Sequence, residues 1–188
     1  MWRLCRAVLA QYRLDPADEL HGLPHWARVA RNGYWLAAAT GVSPRLVEPF
    51  ALLHDACREN EDRDPGHGPR AAALAAVLTP ELLELAAPQI ELLREACAQH
   101  TRGRTVAHPE LQVCWDADRL DLVRLGFALD RRRLCTEAAR AVAEGELRLP
   151  PMDLPLFLAR RWRVDSRGQT VPVLEFTPDL EDDDSDDE

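Results

Sequence analysis

Lysine is absent: every one of the 23 basic residues in this 188-residue chain is an arginine. That excludes a phosphate-loop lysine, a Schiff-base lysine and a lysine general base. Serine occurs only at positions 43, 166 and 185, none of them within a Gly-x-Ser-x-Gly elbow, so a serine hydrolase is not expected. The five cysteines, at 5, 57, 97, 114 and 135, are odd in number and lack Cys-x-x-Cys spacing. They read as reduced residues, mostly of the core, which makes the expected compartment the cytoplasm. Long hydrophobic runs are missing as well. No 18-residue apolar stretch suits a membrane span, and Met1 to Ala10 is too short and too interrupted by arginine for a signal peptide.

What the chain does have is enough apolar residues, 46%, for one core and hence one domain at this length. Its formal charge of −9 is concentrated at one end, where residues 179–188 hold eight carboxylates and no basic group. Without them 24 acidic residues face 23 basic ones, so the body is close to neutral. The expected organisation is a helical domain over 1–165, a short extension over 166–178 and a disordered acidic tail over 179–188, which has too little apolar surface to offset its ordering entropy.

Apolar residues recur at helical spacing almost throughout, which predicts an all-α fold. Helices are expected at about 2–13, 24–39, 44–58, 69–78, 80–86, 88–100, 109–125 and 133–144, with Pro24, Pro44, Pro69, Pro80, Pro88 and Pro109 near their starts, where a missing N–H costs nothing. Trp162 to Phe176, with a Ser-Arg-Gly turn between valine-rich flanks, reads as a short C-terminal hairpin.

Several chemically active side chains fall on the apolar faces of these helices. Asp118 lies in the middle of the stripe formed by Leu111, Cys114, Trp115, Leu122 and Leu125, whereas Asp116 points the opposite way and is expected to be solvated. His54 shares the stripe of Val47, Phe50 and Ala51, with Asp55 at its edge. His25, Arg28 and Asn32 share one face of the helix that begins near Pro24, and His100 closes the helix of Ile90, Leu93 and Cys97. A buried carboxylate needs a cation, strong donors or a metal. Imidazole and carboxylate together are a ligand set for first-row transition metals.

The phrases His25-Trp-Ala-Arg-Val, Phe50-Ala-Leu-Leu-His54-Asp55 and Asp116-Ala-Asp118-Arg-Leu-Asp121 resemble the H…HD…D signature of the HD superfamily of metal-dependent phosphohydrolases over roughly residues 20–125. The resemblance implies a compact helical bundle with His25, His54, Asp55 and Asp118 as ligands of a divalent transition metal, Mn, Co, Ni or Fe. It selects Asp118 over Asp116, because related guanosine tetraphosphate hydrolases carry the ligand aspartate in Ala-Asp-Arg-Leu. Several hydrolytic members place an acid three residues after the His-Asp aspartate. This chain has Arg58 there and Glu59 next, which makes Glu59 the general acid/base candidate.

His67 is the other catalytic candidate, as a group that orients substrate. His67 and His100 are alternatively ligands of a second ion, as in members with an H…HD…H…H…D pattern. The interval from Asp55 to His67 is short for that pattern, so one ion is the expectation and two the alternative. The helix start after His67-Gly68-Pro69 would offer free N–H groups to an anion, with Arg70 beside it. Arg28, Arg58, Arg70 and Arg119 are the candidate phosphate clamps, since a guanidinium matches phosphate oxygens in pairs. His21 is read as a pocket-rim residue and His108 as exposed.

The expected function is hydrolysis of a nucleotide or other small phosphate ester by metal-activated water, the substrate class coming from the resemblance. A di-iron oxygenase and a non-catalytic metal- or nucleotide-binding module are the alternatives. No nucleic-acid partner is expected, since Arg131-Arg132-Arg133 is a short basic run without aromatic residues, and the residues do not address the oligomeric state.

Overall fold

Proline sets the starts of the long helices, as expected. The computed structural model describes residues 2–102, 104–149, 162–164 and 170–172. Among them are eight α-helices: α1 (Trp2–Leu9), α2 (Leu23–Thr40), α3 (Val47–Leu53), α4 (His67–Val77), α5 (Pro80–Leu83), α6 (Ala87–Gln99), α7 (Pro109–Asp121) and α8 (Glu137–Ala143). Pro24, Pro80, Pro88 and Pro109 occupy the first or second position of α2, α5, α6 and α7. The fold is all-α. Two short strands, β1 (Trp162–Val164) and β2 (Thr170–Pro172), pair antiparallel with Arg163 opposite Val171. They fall within the segment read as a hairpin, whose turn lies outside the described residues, as do the C-terminal part of the extension and the acidic run 179–188.

The core forms around α2, which packs along α7 and across α3, while α4 lies against α6. Trp26, Val29, Ala30 and Leu36 of α2 and Leu111, Cys114, Trp115 and Leu120 of α7 are fully or almost fully buried. Each such large side chain contributes about 1.5–3 kcal/mol on leaving water. Trp115 also satisfies its indole N–H by donating to the Ala96 carbonyl at 3.0 Å, which ties α7 to α6. All five cysteines are free thiols, four of them buried. No described helix is long and apolar enough to cross a membrane.

Several boundaries differ from expectation, α1 ending early at Leu9 and α8 starting late at Glu137 among them, and three of the differences bear on the site. The third helix ends at Leu53, and the chain continues through His54 to Arg58 in tighter turns, with Ala56 N–H bonded to Leu53 O and Arg58 N–H to Asp55 O. Helix α4 begins two residues early, so His67 is its first residue and not a loop residue. Helix α7 stops at Asp121, and Leu122 and Leu125, assigned to the buried stripe, are 43% and 41% exposed in a short 3₁₀ turn that ends at left-handed Gly126.

One glycine bears directly on the site. A Cβ at Gly68 would lie 2.6 Å from the Cys97 carbonyl oxygen and 3.3 Å from the His100 ring. Only glycine permits the start of α4 to seat against the end of α6, and that approach brings His67 to His100.

Candidate metal centre

Four histidines and two aspartates from five parts of the chain converge between α2, α3, α4, α6 and α7. His54 caps the C-terminal end of α3, its Nδ1 3.1 Å from the carbonyls of both Phe50 and Ala51. Its Nε2 lies 3.1 Å from His25 Nε2, 3.8 Å from Asp55 Oδ2 and 3.7 Å from Asp118 Oδ1. His25 Nε2 is 3.7 Å from the same Asp55 oxygen and 3.5 Å from the same Asp118 oxygen. The four residues read as ligands therefore present four donor atoms around one point.

A second group forms on the other oxygen of Asp55. His67 Nε2 lies 3.1 Å and His100 Nε2 3.7 Å from Asp55 Oδ1, and the two nitrogens are 2.9 Å apart. Both His25–His54–Asp55 and Asp55–His67–His100 are buried sets whose ligand atoms lie within 4.8 Å of one another, so either can hold a metal ion. His67 is fixed by its place as the first residue of α4.

The tautomers of these rings follow from their partners. A carbonyl oxygen only accepts, so Nδ1 of His54, His67 and His100, bonded to the carbonyls of Phe50, Asp64 and Cys97, must carry the proton. His25 Nδ1 is bonded likewise to the Asp121 carboxylate at 2.7 Å. All four Nε2 lone pairs then point inward, at each other and at carboxylate oxygens. Lone pairs 2.9–3.1 Å apart repel unless a cation lies between them. Two nitrogens each about 2.1 Å from one ion and at right angles to it are about 3.0 Å apart, so the donor set fits a metal.

In the metal-free protein the electrostatics divide: His54 is held as a free donor, whereas the carboxylates favour a proton on His100 that a metal ion would have to displace. Burial above all pushes His54 down to about 4, against the pull of Asp55 and Asp118, so the ring is a neutral donor at neutral pH. Burial alone would raise Asp55, but the imidazoles of His54, His100, His67 and His25 hold it well below the usual carboxylate range. Burial would lower His100, and the hydrogen bond and charge of Asp55, with Asp118, raise it instead. Asp118 is the open side of the centre, its side chain 22% exposed where those of His25 and Asp55 are 6%.

The remaining candidates are placed less centrally. Arg58 is buried beside the centre, its Nη1 3.6 Å from Asp55 Oδ1, and its other nitrogens donate to the carbonyls of Asn60 and Asp62. Arg28 is bonded to Asp121 and Glu19. Arg70 is bonded to Asp64 and to the Cys57 carbonyl, and half-exposed Glu59 sits between Arg13 and Arg70. Arg119 stands apart from the cluster, donating to the carbonyls of Arg133 and Arg104 beside Asp116. All four arginines read as phosphate clamps are thus engaged by acceptors of the protein itself.

Asp116 corrects the expectation of a solvated side chain. It is fully buried and accepts from the N–H groups of Cys135 and Thr136 and from the Thr136 hydroxyl, because the chain after α7 returns across this face of the helix. One residue and one contact escaped the sequence reading: the role of Asp121, and the pairing of His21, read as a rim residue, with Glu61. Asp121, one turn beyond Asp118, is a buried acceptor for His25, Arg28 and Arg124. His21, with exposed His108 left at the surface, is half-buried and held by Glu61 at 2.5 Å, its ring 6.4 Å from that of His25. The spacing of Asp118 and Asp121 on one helix was the available signal for the first; nothing local signalled the second. No family model, no curated protein and no solved structure matches the chain.

Proposed function

We propose that this chain is a metal-dependent phosphohydrolase of the HD type, with two divalent transition-metal ions sharing Asp55. One observation carries the reading: four imidazole Nε2 atoms approach the two oxygens of a single buried carboxylate, two on each. This favours two ions over the one that the short Asp55-to-His67 interval suggested. His25, His54 and Asp118 would hold the first ion, His67 and His100 the second. When bound, such ions lower the pKa of a coordinated water and polarise a phosphoryl oxygen.

The protein's own groups do the rest. Arg58, close to Asp55 and to His67, stabilises the anionic bridge and ties down the loop after it. Since the candidate arginine clamps are already engaged, a phosphoryl group would be recognised chiefly at the centre itself, on the open side beside Asp118. His21, bonded to Glu61 and with its ring 6.4 Å from that of His25, is a better candidate than Glu59 or His67 to hand a proton to a leaving alkoxide. The substrate class, a nucleotide or another small phosphate ester, rests on the resemblance of the motifs.

The same two-ion arrangement favours a second reading, a di-iron oxygenase, over a metal-free binding module. The experiment that tests both is metal analysis of the purified chain, followed by assays for phosphate release from a nucleotide panel and for oxygen consumption. Near-stoichiometric transition metal with phosphate release supports the proposal. Two irons with oxygen uptake and no phosphate release would replace it by the second reading, and absence of bound metal after loading would overturn both.

A further inference from the structure

The four imidazoles are not supported in the same way. His54, His67 and His100 each bond Nδ1 to a carbonyl three or four residues earlier in their own segment. His25 makes no such bond. It stands in the first turn of α2, where the Gly22 carbonyl accepts from Trp26 N–H and the His21 carbonyl accepts from the Tyr12 hydroxyl. Its acceptor is instead a side chain 96 residues away, Asp121, at 2.7 Å.

Asp121 is itself fixed. Its other oxygen takes Arg28 Nε at 2.8 Å, and Arg124 Nε donates at 2.6 Å to the oxygen that His25 uses. Arg124 reaches on to the Leu20 carbonyl at 2.7 Å, in the segment that leads into α2. Asp121 also follows Asp118 by one turn on the same face of α7. One helix face therefore carries both a donor to the centre and the support of the histidine opposite it.

We infer that Asp121 is a positioning residue: it fixes the Nδ1–H tautomer of His25 and aims His25 Nε2 at the point shared by His54, Asp55 and Asp118. The inference builds on the metal-centre reading but concerns only residues of this chain. A carboxylate partner also raises the basicity of the imidazole, and partners of this kind are commonly worth 10-fold to 100-fold in metal affinity. Of the four histidines, His25 alone owes its donor geometry to the docking of two distant helices, so it is the one that a single side-chain substitution can release.

The test uses the full chain and its Asp121→Asn and Asp121→Ala variants, with two readouts. The first is the imidazole nitrogen resonance of His25 in metal-free protein, which reports the tautomer. The second is Co²⁺ binding by chelator competition, together with the visible spectrum of the bound Co²⁺. In Asp121→Asn the amide oxygen can still accept, so the tautomer should persist while affinity falls about 10-fold. In Asp121→Ala the tautomer should become mixed, affinity should fall about 100-fold and the Co²⁺ spectrum should change.

A purely structural role predicts otherwise: a lower Tm in both variants, with tautomer, affinity and spectrum as in the wild type. That result overturns the inference, and if Asp121→Ala does not fold, Asp121→Asn decides on affinity and spectrum. If the wild-type chain binds no Co²⁺, the metal-centre reading fails separately, and the His25 tautomer in the variants alone decides whether Asp121 sets it.

Discussion

Replacing Asp116 by alanine should unfold the chain more easily without emptying the centre, and Asp118→Ala should do the reverse. The Asp116 carboxylate is fully buried and accepts from Cys135 N–H at 2.9 Å, Thr136 N–H at 2.7 Å and the Thr136 hydroxyl at 2.9 Å, with Arg119 at 3.5 Å. Removing it leaves two interior N–H donors and a guanidinium short of an acceptor. Each orphaned buried group costs about 1–3 kcal/mol, so the total is roughly 2–5 kcal/mol after partial relaxation. Burial raises the pKa of Asp116 despite these donors, so desolvation of the carboxylate offsets part of their gain. At about 2–4 °C per kcal/mol for a chain of this size, Tm should drop on the order of 5–15 °C.

Asp118 is partly exposed and close to the donors of His25 and His54, so its loss should hardly change the Tm of metal-free protein while lowering metal content. Calorimetry of both metal-free variants, paired with metal analysis after reloading, separates the two roles. A wild-type Tm in Asp116→Ala, or metal loss equal in both variants, would refute the assignment of the two carboxylates.

Further outcomes follow from the geometry. Either His67→Ala or His100→Ala should lower metal content from two ions towards one, whereas Asp55→Ala, which removes both bridging oxygens, should abolish it; an unchanged stoichiometry in the histidine variants would restore the one-ion arrangement. His21→Gln should retain metal and slow turnover about 10²-fold to 10⁴-fold, as expected for a lost acid/base group, and unaltered turnover would leave His21 a rim residue. In metal-free protein, His54 titrates near 4 when folded against 6.5 when free, so its contribution to stability is complete above pH 6.5 and is lost as pH falls towards 4. Asp55 and Asp121, held low, lose theirs in the same direction at lower pH, and His100, held high, contributes fully below 6.5 and does not compensate. Asp116 and Glu48, raised by burial, work the other way, so the Tm of metal-free protein should decline from pH 6.5 to pH 4 more steeply than that of a His54→Gln variant, and parallel profiles would mean that His54 is charged in the fold.

Helical periodicity was sufficient for the all-α fold and for the inward direction of His25, His54, His100 and Asp118, because a helix repeats every 3.6 residues and its apolar stripe marks the side that faces the core. Proline placement located the starts of α2, α4, α5, α6 and α7 to within a residue or two for the same local reason, and that of α3 to within three. Residues Asp116, Leu122 and Leu125 went the other way, since a single stripe assumes one buried face. Helix α7 is covered on a second side by the chain that returns through Cys135 and Thr136, and it ends before Leu122.

What only the tertiary structure decided is what lies across from what. The interval between Asp55 and His67 looked too short for a shared centre, but sequence separation is not distance. The turns after His54 and the close approach of Gly68 to Cys97 bring His67 within 3.1 Å of Asp55. An arginine's position on a wheel does not reveal whether its donors are already taken, and the candidate clamps Arg28, Arg58, Arg70 and Arg119 all proved to be engaged. Nor could any local pattern join His25 to Asp121 or His21 to Glu61. Those bonds exist because burial of apolar faces elsewhere docks α2 on α7 and brings the loop after α3 to the segment before α2, and that docking is a property of the packed chain as a whole.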